Sequence, residues 1–276
     1  MATTHARADA QFAQGLARAF AGAVIFGLPL LMTMEMWWLA FTMQPTRLAV
    51  LVALFLPLLV ALSWHVGFEP TFDWKEDILD ALVAFAVGTA TAVVVLSLLG
   101  ALTTEMGPRE WVGKVSLQAV PGSIGALLAQ STLGEAGAGS DVRGGRTTYF
   151  SELFIMAIGA LFLAFNVAPT EEVLLIALQM SEAQALVLAL ASLAVMHAFV
   201  YSVAFRGRPQ EHGQAPWWSL LARFTVVGYA IALLLAGFLL WAFGRLDGLL
   251  RGATARMVVV LGFPASVGAA ASRLML

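Results

Sequence analysis

ILDALVAFAVGTATAVVVLSLLG, from Ile78 to Gly100, runs for 23 residues with one charge, Asp80, near its start. A helix of about 20 such residues crosses the roughly 30 Å hydrocarbon core of a bilayer at 1.5 Å per residue. A run this long and this apolar reads as a transmembrane helix. Seven more segments read the same way: 19–43, 47–67, 113–130, 152–178, 185–205, 217–243 and 255–273. Of these, 113–130 and 255–273 are the richest in small residues and the poorest in leucine. The predicted fold is therefore all-α, a polytopic membrane bundle of about eight transmembrane helices.

Composition agrees. Of the 276 residues, 60% are hydrophobic and 12% charged, and the mean hydropathy is +0.86. Soluble domains are roughly 45–50% apolar and about 25% charged. A formal net charge of −2 leaves no basic footprint, so no nucleic-acid partner is expected. The absence of cysteine excludes disulfides, thiolate metal sites and thiol catalysis. The only lysines, Lys75 and Lys114, fall at predicted span edges, which argues against a retinal Schiff base in mid-membrane. No cofactor is expected, and no metal is assigned.

Residues 1–18 read as a polar cytoplasmic tail rather than a signal peptide, since 1–15 lack a short apolar core and cleavage site. Loops are short apart from GEAGAGSDVRGGRTTY, 134–149, with five glycines. The domain reading is a first membrane repeat of four helices over 19–133, a flexible Gly-rich linker over 134–150, and a second repeat over 151–276. In an eight-span topology, nine Lys and Arg lie on the side of the termini and six on the other. Both termini are thus expected in the cytoplasm, and the chain in the inner (plasma) membrane. Trp37 with Trp38, and Trp217 with Trp218, fit interfacial belts on opposite sides.

The halves resemble one another. At an offset of 137, Gly22-Ala23 falls on Gly159-Ala160, Thr33 on Thr170 and Glu35 on Glu172. At 140, Gly88 falls on Gly228; at 143, PGSIGA (Pro121 to Ala126) meets PASVGA (Pro264 to Ala269). These matches point to a 4+4 internal duplication, and with four spans each the repeats are parallel, related by an axis along the membrane normal.

The residues able to carry chemistry are few. Glu35 and Glu172 fall within the apolar segments read as spans one and five. A carboxylate in hydrocarbon is costly and usually faces a bundle interior or a watery path, where it suits proton carriage or cation binding. A simpler reading puts both in the headgroup zone beside Trp37 and Trp38. Around Glu172 the chain reads FNVAPTEEV, Phe165 to Val173. Pro169 removes a backbone donor and frees a carbonyl one turn earlier. Asn166 and Thr170 share a face, and Glu171 precedes Glu172. Pro29, at the position equivalent to Asn166, gives the first span a proline break too, though in a different register. Glu35, Glu172, Glu171, Asn166, Thr170 and Thr33 are therefore the candidate ion or proton path, with Pro29 and Pro169 as helix breaks.

Pro121, Ser123 and Gly125, with Pro264, Ser266 and Gly268, read as close packing between helices, with serines lining a path as the functional alternative. His197 and His65 do not align in the repeat and read as packed or hydrogen-bonded histidines. Asp73, Glu76, Asp77 and Asp80 read as a solvated acidic face before the third span.

TMEMWW (Thr33 to Trp38) together with FNVAPTEE (Phe165 to Glu172) resembles an uncharacterised family of bacterial multi-pass integral membrane proteins. That resemblance implies a polytopic inner-membrane protein and brings no activity. APTEEVLLI (Ala168 to Ile176) is similar to the first motif of the prenyl-protein-processing, or abortive-infection, intramembrane protease family. There the likeness implies a catalytic set of Glu171, Glu172 and His197. Ile176, however, stands where that family carries arginine, and Leu193 where it carries phenylalanine.

The functional expectation is a channel or transporter for a small cation or proton, using carboxylates between the two repeats, and not an enzyme. The alternatives are an intramembrane hydrolase, or a non-catalytic partner of a membrane complex or of lipid. The expected partners are the lipid bilayer and the transported cation or proton, and a homo-oligomer is left open.

Overall fold

The computed structural model describes residues 2–66, 74–133, 148–206 and 217–272, with backbone alone at 2–12, 66, 130–133 and 201–206. Residues 134–147 of the glycine-rich linker, Asp73, and the basic residues Arg143, Arg146, Arg208 and Arg273 lie outside the described residues, while Tyr149 and Phe150, read as the linker's end, open the following helix.

The chain forms two compact units, Met1–Gly145 and Arg146–Leu276. The first holds α1 (Ala2–Leu31), α2 (Met34–Thr42), α3 (Pro45–Val66), α4 (Trp74–Leu98) and α5 (Pro108–Leu133). In the second are α6 (Tyr149–Val167), α7 (Glu172–Gln179), α8 (Glu182–Arg206) and α9 (Trp217–Leu220). α9 passes through a π-helical turn, Leu221–Val226, into α10 (Val227–Ala242), and the last helix is α11 (Arg251–Ser272). Every element described is a helix.

Among the described residues eight helices are long and apolar enough to cross a membrane. Two of them end earlier than the hydropathy of the sequence indicates. The first spans Ala13–Leu31 and the fifth Tyr149–Val167, whereas the apolar segments run over 19–43 and 152–178. The chain turns after Leu31, where Thr33 takes an extended conformation (φ −92°, ψ 114°), and again after Val167, where Pro169 has no donor to continue the helix. Each turn leads into a separate short helix, α2 or α7.

The two spans richest in small residues prove to be the inner ones. The α5 span has a mean hydropathy of only 1.2 and is 83% buried, whereas the α3 span reaches 2.3 and is 28% buried. A helix wrapped by other helices meets little lipid and needs little hydrophobicity; it needs small residues that let neighbours approach. In unit 1, α5 packs chiefly against α1 and α4; in unit 2, α11 packs chiefly against α6, α8 and α10.

Glycine marks the tightest crossings. A Cβ on Gly125 would overlap the carbonyl of Gly22 and the side chain of Phe26, and one on Gly268 would overlap the carbonyl of Gly159. Gly100 (φ +70°) and Gly244 (φ +72°) close α4 and α10, sending the next N–H, of Ala101 or Arg245, back to the carbonyl of Leu96 or Leu240.

Candidate functional site

The break after α1 is deep. The carbonyl of Leu30 accepts a hydrogen bond of 2.8 Å from Gln118 Nε2. Gln118 lies ten residues into α5, about 15 Å along the axis from Pro108. Further on, the backbone of Ala40 lies against Gly113, five residues into α5 or about 7.5 Å. Glu35, in the first turn of α2, sits between these two contacts. It is half-buried.

Backbone carbonyls at this break do not stay bare. Thr33 Oγ1 donates to Pro29 (2.5 Å) and Trp37 Nε1 donates to Leu31 (2.9 Å), alongside the Gln118 bond. Trp37 is thereby tied into the fold, while Trp38 is exposed as an interfacial residue would be. α1 continues two residues past Pro29, so the turn itself falls at Met32–Thr33. One turn of α5 above Gln118 stands Lys114, 4% exposed and not at a rim as its place in the sequence suggests. Its ammonium is 2.8 Å from a Glu110 carboxylate oxygen, donates to the carbonyl of Ala101 at 2.9 Å, and lies 5.1 Å from the centroid of the Phe41 ring. Glu110, Lys114 and Gln118 thus form a polar stripe at i, i+4, i+8 along one face of α5. That spacing is visible in the sequence, although no motif draws the eye to it.

The break after α6 is built from different donors. Asn166 Nδ2 donates to Phe162 (2.8 Å) and Thr170 Oγ1 to Val167 (2.9 Å). Arg245, from the turn after α10, donates through Nη2 to the carbonyl of Pro169. Arg256, five residues into α11, donates through Nε to Ala177 at 2.8 Å. Glu172 opens α7, and both it and Glu171 are exposed. Phe165, fully buried, stacks edge-on against Phe243 at 5.3 Å and fixes the end of α6 against that of α10. Arg245 and Arg256 carry no sequence signal beyond their charge.

The remaining candidates separate from the breaks. His197 Nδ1 lies 3.0 Å from Thr225 Oγ1, a fully buried hydroxyl in the π-helical turn, and His65 Nδ1 lies 2.7 Å from the Ala61 carbonyl. Ser123 and Ser266 are buried and turn their hydroxyls back on their own helices, to Ala119 and Phe263. Gly125 and Gly268, two residues on, make the crossings with α1 and α6, while Pro121 and Pro264 lie inside the helices that carry them. One acidic residue departs from the solvated face expected before the third span: Asp77 is 1% exposed, because it sits on the inward side of the first turn of α4. Among the described residues no three His, Asp or Glu side chains converge to hold a metal ion.

Eight apolar spans in an all-helical chain define an integral, multi-pass membrane protein. Residues 15–276 match the family described as "Putative integral membrane protein (DUF2391)", and the chain belongs to that family. No curated protein and no solved structure matches it.

Proposed function

We propose that the protein carries protons across the bilayer, with a small monovalent cation as the second candidate, and that Glu35 and Glu172 are the carrying groups. The observation behind this reading is the depth of Glu35. It is half-buried, between contacts that lie about 7.5 and 15 Å below the start of a spanning helix. An ionisable side chain at such depth is a functional candidate by default.

The choice of proton over a larger ion follows from the carbonyls. A cation stripped of water needs several oxygen ligands, and broken helices commonly supply them from the backbone. Here Pro29, Leu30, Leu31, Phe162, Val167 and Pro169 already accept side-chain hydrogen bonds. One buried amide oxygen at each break, Gln118 Oε1 and Asn166 Oδ1, accepts no hydrogen bond among the described residues. That is too few ligands to cage a bare cation, whereas a carboxylate binds a proton with no further ligand. Glu172, though exposed, is paired with Glu35 by reading the units as a 4+4 duplication. Three coincidences support that reading. Gly22 meets Gly125 as Gly159 meets Gly268, Ala40 meets Gly113 as Ala177 meets Arg256, and Gly100 caps its helix as Gly244 does. In the first two, the same displacements recur, 137 on the earlier residue and 143 on the later.

The test is flux into proteoliposomes under an imposed potential, read in parallel with proton-, sodium- and potassium-sensitive dyes. Proton uptake that falls in Glu35→Gln and persists in Glu171→Gln supports the reading. Uptake that is the same in Glu35→Gln as in wild type overturns it.

A further inference from the structure

Away from the breaks, unit 1 carries a groove of about 520 Å³ walled by α2, α3 and α5. Its size falls within the roughly 300–1,000 Å³ of ligand sites. Leu39, Leu48, Val52, Val112 and Leu117 supply apolar walls, and the small side chains of Ala49 and Ser116 leave the space between them.

The long dimension runs along the helices. On α3 the lining extends from Pro45 to Val52 and on α5 from Pro108 to Leu117. Those intervals of seven and nine residues measure about 11 and 14 Å. One cation lines the groove, Arg109, at the end where α3 and α5 begin. Arg109 is exposed, and among the described residues it makes no ion pair. Its neighbour Glu110 is already engaged by Lys114.

A guanidinium at the helix ends above an apolar trench running down into the bilayer suits the phosphate and the upper part of an acyl chain of one kind of lipid. We propose that this groove binds an acyl chain of an anionic phospholipid whose phosphate pairs with Arg109. Guanidinium and phosphate match in a two-bond, charge-assisted geometry. The trench extends from headgroup level toward mid-membrane, the direction a chain takes from its phosphate. A net anionic headgroup is favoured over a zwitterionic one, which brings its own cation to compete for the phosphate. The inference stands apart from proton carriage, since neither Glu35 nor Glu172 lines the groove.

The experiment titrates the purified full chain in detergent with phosphatidylglycerol or phosphatidylcholine of identical acyl chains, counting bound lipids by native mass spectrometry. For wild type, the first bound lipid is phosphatidylglycerol by about fivefold, the effect of one basic side chain near an anionic surface. Arg109→Gln, a change at an exposed side chain, abolishes the preference while lipid still binds. Ala49→Phe with Ser116→Phe fills the trench and removes the first bound lipid of either kind. Equal binding of the two lipids by wild type, or no change in either variant, overturns the proposal. A lipid-free dimer that the trench-filling variant loses would also overturn it, by assigning the groove to a second copy of the chain.

Discussion

Replacing Lys114 by methionine keeps the length of the side chain and removes its charge. In the wild type that charge is 2.8 Å from Glu110, bonds the Ala101 carbonyl at 2.9 Å, and sits over Phe41, near the end of the short helix that carries Glu35. Breaking a buried ion pair from one side costs about 3–5 kcal/mol, because the partner stays buried and uncompensated. The Glu110 side chain keeps 17% of its surface accessible and recovers some hydration, which moves the expected loss to the lower end, about 3 kcal/mol. The carbonyl of Ala101 adds about 1 kcal/mol more. At roughly 2–4 °C per kcal/mol for a chain of this size, the thermal unfolding midpoint read by tryptophan fluorescence should fall by about 8–16 °C. Removing both charges, in Lys114→Met with Glu110→Gln, should recover most of that loss. A single variant that melts with the wild type would refute the reasoning, and so would a double variant that melts as low as the single.

Gly125→Leu and Gly268→Leu should each abolish recovery of folded protein in detergent, since the new side chain would occupy the place of a neighbouring helix backbone. Gly107→Ala, in open space, should melt at or slightly above wild type, by up to about 1 kcal/mol, in the same fluorescence assay. His197→Ala loses the hydrogen bond to Thr225, a kind of bond worth about 0.6 kcal/mol on average inside a membrane, and should leave proton flux unchanged. Flux lost in His197→Ala as fully as in Glu35→Gln would move the candidate site to the histidine.

The spans are legible in the sequence because crossing a bilayer imposes a length of apolar chain that few other structures require. The breaks are legible in part. Pro169 announces the end of α6 through its missing donor; Pro29 likewise signals a break in the first span, but α1 continues past it and the turn falls only at Met32–Thr33. The depth of Glu35 is not readable at all, because it depends on Gln118, a residue 88 positions away in sequence that satisfies the Leu30 carbonyl. For the same reason the carbonyls at the turns look available to an ion in the sequence, although donors on α5 and in the turn after α10 bond those of Leu30 and Pro169 in the fold. Asp77 and Lys114 read as edge residues by their positions; packing against neighbouring helices buries them both. The low hydropathy of α5 and α11, a weak span signal, is the mark of helices shielded from lipid.

The central claim, that carboxylates at the two helix breaks carry protons, is tested most directly by the Glu35→Gln, Glu172→Gln double variant in proteoliposomes. Potential-driven proton uptake should fall to the level of protein-free vesicles while the variant melts within a few degrees of wild type. Wild-type uptake in the folded double variant would contradict the claim.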